Sequence, residues 1–118
     1  MNTSFWNNKK VLVTGHSGFK GSWITLLLKH LGAEVCGVSS SILNNNQELF
    51  LALNLDDSCL SHDVDIRDKN ISKIFNDFKP DIVFHMAAQP LVRASYEIPF
   101  DTYDINVMGT LNILENIR

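Results

Sequence analysis

Three glycines spaced three residues apart, Gly15, Gly18 and Gly21, stand between a β-branched run and a helical pattern, and they constrain this chain more than any other feature. Lys10-Val11-Leu12-Val13-Thr14 reads as a strand that Gly15 stops; Phe19, Trp23, Leu26, Leu27 and Leu31 then recur at helical spacing until Gly32 ends the pattern. At such a joint the first glycine permits a tight turn, the second lets a pyrophosphate approach the backbone, and the third lets helix and strand pack closely. The first turn of the helix offers unbonded amides and the positive end of its dipole to an anion. Gly15, Ser17, Gly18, Phe19 and Gly21 are therefore candidates for holding a dinucleotide; the alternative is a turn that needs glycine only for its own geometry.

Beyond the joint, strands and helices keep alternating. Residues 34–38 read as a second strand, residues 39–41 and 44–46 as a polar loop, residues 48–53 as a short helix and residues 60–66 as a third strand. Asp68 takes the N-cap position of a helix whose Ile71, Ile74, Phe75 and Phe78 share one face, and Pro80 stops it. In residues 81–86 the apolar positions run on instead of alternating, which predicts a strand buried on both faces. Pro99 opens a last helix expected to bury Tyr103, Val107, Leu111 and Leu114. This order predicts an α/β fold, the N-terminal half of a doubly wound parallel (Rossmann) sheet with helices on both faces. Residues 1–118 read as one NAD-binding Rossmann domain. The helical pattern reaches Arg118 without a Gly, Asn or Pro stop, so the expectation is a truncated form of a longer protein.

A chain of 118 residues builds one modest core, and its formal charge of −3 carries no basic run, which excludes binding of nucleic acid driven by electrostatics. No apolar stretch approaches the roughly 20 residues of a membrane span, and residues 1–10 lack the apolar centre of a signal peptide, so neither a membrane partner nor export is expected. A cytoplasmic location follows as the expectation. Cys36 and Cys59 are the only cysteines and have no CxxC spacing, while His16, His30, His62 and His85 fall on separate elements; no disulfide and no metal site are expected.

The ribose partner is less direct. An acid about 20 residues past the glycines would hold the 2′-hydroxyl of NAD, and an arginine there would suit the 2′-phosphate of NADP. No acid lies between Glu34 and Glu48, and no Lys or Arg occurs in residues 30–66. Ser39 and the two serines after it remain to bond the ribose, with nothing to neutralise a phosphate, so the cofactor expected is NAD.

The segments Val13-Thr14-Gly15-His16-Ser17-Gly18-Phe19-Lys20-Gly21-Ser22-Trp23, Asp65-Ile66-Arg67-Asp68, Val83-Phe84-His85-Met86-Ala87-Ala88-Gln89-Pro90-Leu91-Val92-Arg93 and Asn106-Val107-Met108-Gly109-Thr110 resemble the extended short-chain dehydrogenase/reductases. Within them, His16, Lys20, Trp23 and the string from His85 to Arg93 are most similar to the CDP-glucose 4,6-dehydratase family, with other nucleotide-sugar dehydratases and epimerases as alternatives. A dinucleotide-binding module without activity is the alternative from another class.

The resemblance implies that Asp65 accepts from the adenine amino group with Ile66 packed beside the ring, and that Ala87, Ala88 and Gln89 leave room for the cofactor. It leaves Arg93 between a substrate phosphate and plain solvation, and Asn106 between an active-site hydrogen-bond network and a buried structural contact. The implied chemistry is NAD-dependent removal of water from a nucleotide-sugar, giving a 4-keto-6-deoxy product of the kind used in O-antigen. Homo-oligomerisation through helices is implied for the full-length family. These 118 residues contain no Tyr-x-x-x-Lys pair, the family's catalytic signature, so alone they are expected to be inactive.

Overall fold

The computed structural model describes residues 3–41 and 47–118; the predicted loop at 44–46 lies outside the described residues. Four strands, β1 (Lys10–Thr14), β2 (Glu34–Ser39), β3 (Leu60–Asp63) and β4 (Ile82–His85), pair in the order β3-β2-β1-β4, and every pairing is parallel. The chain therefore runs from β1 outward through β2 to β3, then returns to the other side of β1. The strand order reverses between β1 and β4, which is where open α/β sheets keep their ligands.

Helices cover both faces. On one face Val11, Val13 and Val35 pack with Leu28 of α1 (Phe19–His30). On the other, Leu12, Cys36 and Val38 pack with Ile71, Ile74, Phe75 and Phe78 of α3 (Ile71–Phe78) and with Ile105 and Ile113 near the C-terminus. Alternate residues of β1 thus feed opposite cores, as the period of a strand requires. A short α2 (Glu48–Ala52) precedes β3. Beyond β4 the backbone forms α4 (Val92–Glu97), α5 (Pro99–Tyr103), a π-helical turn (Asp104–Gly109) and α6 (Thr110–Ile117).

Several expectations need correcting. β4 is half-buried, because among the described residues it is an edge strand paired with β1 alone; the doubly buried strands are β1 and β2. The third strand stops at Asp63 and not at residue 66. Asp68 is not the N-cap residue of α3, which is Asn70, although the Asp68 carboxylate accepts the Asn70 N–H at 2.8 Å and so serves the same end.

The apolar stripe of α1 faces largely away from the sheet, and Leu31, just past the helix, is its buried member. Gly21, Ser22, Thr25 and Leu28 meet the sheet, while Phe19, Trp23 and Leu27 are exposed. The helix lies so close that a Cβ on Gly21 would run into the Gly15 carbonyl oxygen, and only small side chains fit between. In residues 99–117 the inward residues are Ile105, Gly109 and Ile113, and the predicted face of Tyr103, Val107, Leu111 and Leu114 is exposed. Gly109 is there because a Cβ would sit 2.5 Å from the Ile66 Cδ1. Among the described residues no helix is long and apolar enough to cross a membrane.

Candidate functional site: a groove at the strand C-termini

The glycine joint is held by its own backbone. Gly15 adopts φ +71°, its N–H donates to the Val38 carbonyl at 2.7 Å, and the Gly18 N–H closes the turn on the Gly15 carbonyl at 3.1 Å. A Cβ on Gly15 would press on the Ala87 backbone at 2.9 Å, so two neighbouring strand ends approach through this glycine. Gly18 differs: with φ −73° and ψ 173° its backbone suits any residue, and it borders open space as the N-cap of α1.

That space is a groove of about 960 Å³ running across the C-terminal ends of the strands. Of the residues singled out in the sequence, Gly15, Gly18, Phe19, Gly21, Ser39, Asp65, Ile66, Ala87 and Ala88 line it. Ser40, expected with Ser39 to meet the ribose, lines it too, as do Lys20, Met86, Pro90 and Leu91 from the segments that carry the resemblance; Glu48, Leu49, Val64 and Ile105 complete the lining and were not expected there. Ser17, Gln89, Asn106 and Arg93 stand outside. Ser17 is buried under the loop, Gln89 is pinned from behind, and Arg93 is exposed on α4.

Ser39 reaches the groove with its hydroxyl already engaged. Its Oγ accepts the Ser17 N–H at 3.2 Å and lies 2.9 Å from His16 Nδ1, whose other ring nitrogen meets Ser61 Oγ at 2.7 Å. The His16 ring is 2% exposed and stacks edge-on against Phe50 with centroids 5.0 Å apart, in room that only a glycine at position 37 leaves. Burial lowers its pKa to about 4, so the ring is neutral at ordinary pH. The Ser41 N–H donates to Asp63 Oδ1 at 2.8 Å and its hydroxyl to Oδ2, and both hydrogen bonds hold Asp63 below the usual carboxylate range. An acid thus does stand beside the end of β2, brought by β3, in which Asp63 is paired with Ser39. A scan along the chain for that acid could not find it, because it arrives from a neighbouring strand.

Asp65 combines both readings open in the sequence. It accepts the Arg67 N–H at 2.9 Å and the Arg67 guanidinium Nη2 at 2.7 Å, so it caps its own turn while lining the groove. The Arg67 side chain holds Asp65 ionised, and its Nη1 reaches Asp104 at 2.9 Å, tying this wall to the π-helical turn.

The opposite wall, residues 86–91, is fixed from behind. Thr14 Oγ1 accepts the Met86 and Ala87 N–H groups at 3.0 and 3.1 Å and lies 2.7 Å from His85 Nδ1. His85 Nε2 meets Thr110 Oγ1 at 2.9 Å, and the Thr110 hydroxyl donates to the Asn106 carbonyl at 2.6 Å. The Asn106 side chain accepts the Gln89 N–H at 2.8 Å and donates to the Gln89 carbonyl at 3.1 Å. Thr14, His85 and Thr110 each fall in a segment that carries the resemblance, but nothing in those segments shows that the three meet. Only the parallel register that pairs Thr14 with His85 reveals them.

A parallel sheet reversed at β1 and β4, a glycine joint at that reversal and a groove across the strand ends define a Rossmann-type domain of the extended short-chain dehydrogenase/reductase class. Residues 12–118 match the family described as GDP-mannose 4,6 dehydratase, and the chain belongs to that family. It is 50% identical over 116 residues to the CDP-glucose 4,6-dehydratase of Salmonella typhimurium, covering 98% of this chain and 32% of that protein. It is 35% identical to a GDP-mannose 4,6-dehydratase of Vibrio cholerae, covering 93% and 31%. Among solved structures, the Thermus thermophilus UDP-glucose 4-epimerase in complex with NAD superposes with a TM-score of 0.79 at 35% identity, over 91% of this chain and 33% of that one. The chain spans about a third of the length of the relatives it matches.

Proposed function

We propose that residues 1–118 are the cofactor-binding part of an NAD-dependent CDP-glucose 4,6-dehydratase. The observation that carries the cofactor is Gly18. It lines the groove at the N-terminus of α1 in a conformation open to any residue, so the reason for a glycine there is space that a Cβ would fill. The groove is at the upper end of the roughly 300–1,000 Å³ typical of small-molecule sites. The first-turn amides of α1 would face the pyrophosphate, Ser40 the ribose, and Asp65 with Ile66 the adenine. Asp63 and Glu48 at the ribose end, with no Lys or Arg in residues 30–66, favour NAD over a cofactor carrying a further phosphate. When bound, NAD supplies a two-electron acceptor.

The substrate reading rests on the 50% identity to a protein named CDP-glucose 4,6-dehydratase, against 35% to a GDP-mannose enzyme. Arg93, exposed on α4, is the residue proposed for a substrate phosphate. Because these residues include no Tyr-x-x-x-Lys pair, they are expected to form no keto-sugar from CDP-glucose and NAD on their own; product in that assay would overturn this expectation. Titration calorimetry tests the cofactor. NAD should bind, and Gly18→Val should weaken it by about tenfold or more. Affinity unchanged within about twofold would remove Gly18 from the phosphate site.

A further inference from the structure

The hydrogen bonds behind residues 86–91 determine their own directions. A threonine hydroxyl has one proton and two lone pairs. Backbone amides can only donate, so the Ala87 N–H and the Met86 N–H, the latter shared with the Thr14 carbonyl oxygen at 3.2 Å, point at the two lone pairs of Thr14 Oγ1. The Thr14 proton must then go to His85 Nδ1, which has to be unprotonated to receive it. The ring proton is left on Nε2 and is donated to Thr110 Oγ1, whose own proton goes to the Asn106 carbonyl. Every donor in the chain of contacts has an acceptor and every step has one direction.

This relay connects three parts of the fold that no single element joins: the end of β1, the end of β4 and the π-helical turn. Its two ends grip the same stretch of groove wall. Thr14 holds the Ala87 N–H, and Asn106, whose carbonyl receives the last proton, holds both the N–H and the carbonyl of Gln89. Between those grips lies Ala88, which with Ala87 lines the groove. A wall of alanines has no side chain with which to hold itself in place, so its position is set by what grips its backbone.

From this geometry we infer that His85 is a positioning residue of the groove: as the neutral Nε2–H tautomer it ties Thr14 to Thr110 and so sets the distance of residues 87–89 from the glycine joint. The inference deepens the reading of the groove as a dinucleotide site. A histidine is required at this place because the two hydroxyls need opposite partners, an acceptor towards Thr14 and a donor towards Thr110, on one rigid ring. The protonated ring would present two donors, and Thr14 has no lone pair left to receive the second. Burial of His85 lowers its pKa in keeping with this, and its two ring contacts, Thr14 and Thr110, are not titratable.

Thr110 offers the cleanest test, since Thr110→Val removes one oxygen and little volume while Thr110→Ser keeps the hydroxyl. NAD binding by calorimetry should weaken about tenfold in Thr110→Val and stay within about twofold in Thr110→Ser. His85→Phe should weaken it comparably, and the double variant His85→Phe with Thr110→Val should be no worse than the poorer single one, because a broken relay cannot be broken again. Additive losses, or a Thr110→Ser variant as weak as Thr110→Val, would refute the relay. Nitrogen NMR of the His85 ring gives a second readout that a merely structural residue would not satisfy: Nδ1 must resonate as the bare nitrogen and Nε2 as the protonated one. The opposite tautomer or a charged ring overturns the inference. If wild-type protein fails to bind NAD, the cofactor reading falls, and the NMR result still decides the relay.

Discussion

α3 and the run from Pro99 to Ile117 are both amphipathic in sequence, yet they use their apolar residues in opposite ways. All four apolar residues of the α3 stripe are at most 8% exposed, whereas Tyr103, Val107, Leu111 and Leu114 are 47–71% exposed. The C-terminal run instead meets the sheet through Ile105, Gly109 and Ile113. α3 has one apolar face and one place to put it. The C-terminal run has two, and the narrower one, containing a glycine, is the one that fits against Ile66. A periodic pattern therefore reports that a helix has an apolar side, but it does not report which side faces a given sheet.

The comparison can be broken most readily from the α3 side. Phe75→Ala should cost about 3–5 kcal/mol in urea denaturation, the range for a large side chain deleted from a core. A loss below 1 kcal/mol would mean that α3 is not packed as described.

Acid provides the next largest effect, because His16 and His85 are both held neutral by burial. Their folded pKa values lie below the unfolded value of about 6.5, so below that pH the unfolded chain takes up protons that the folded chain refuses. Stability should be full above pH 6.5 and fall as the pH is lowered, for His16 down to its folded pKa of about 4, over which it loses roughly 3 kcal/mol. A denaturation midpoint that does not move between pH 7 and pH 4.5 would contradict both neutral rings.

Gly109→Ala separates two smaller terms. Alanine improves helix propensity by about 1 kcal/mol, but here its Cβ would press on Ile66 Cδ1 at 2.5 Å, so a net loss of about 1–2 kcal/mol is expected. A stabilised variant would show that the run stands further from Ile66. Smallest of all, Leu111→Ala should change stability by no more than about 0.5 kcal/mol in the isolated chain. A cost as large as that of Phe75→Ala would mean that the exposed stripe is covered in solution, and the contrast between the two helices would disappear.

Much of the fold was legible in the sequence because it is written in local signals. The glycine joint, the strand at residues 10–14, α3 and its face, and the helix start at Pro99 all follow from neighbours along the chain. What was not legible depends on contacts between distant segments. The edge position of β4 is a matter of strand order, the inverted face of α1 follows from the closeness of Gly21 to Gly15, and the engagement of Ser39 follows from His16 folding onto it. The site was read in the same uneven way: its glycines stood out, while the relay through Thr14, His85 and Thr110 spans about a hundred residues and leaves no local trace. Asn106 and Gly109 are poor helix formers inside a helical run, and each faces a tertiary contact, with Gln89 and with Ile66.

The π-helical turn at Asp104–Gly109 has a bearing on how this protein can tolerate insertions and deletions. A π turn accommodates one residue more than an α turn, so the helix before it and the helix after it are out of phase by the angle of a single residue, roughly 100°. A return to α spacing with every residue kept would swing Ile113 out of the core and bring its exposed neighbours round towards the sheet. It would also detach Thr110 from His85 and Asn106 from Gln89 together. Loss of one residue together with the π turn would instead keep that phase, so a single-residue deletion here should be better tolerated than an insertion, which adds a rotation that nothing absorbs.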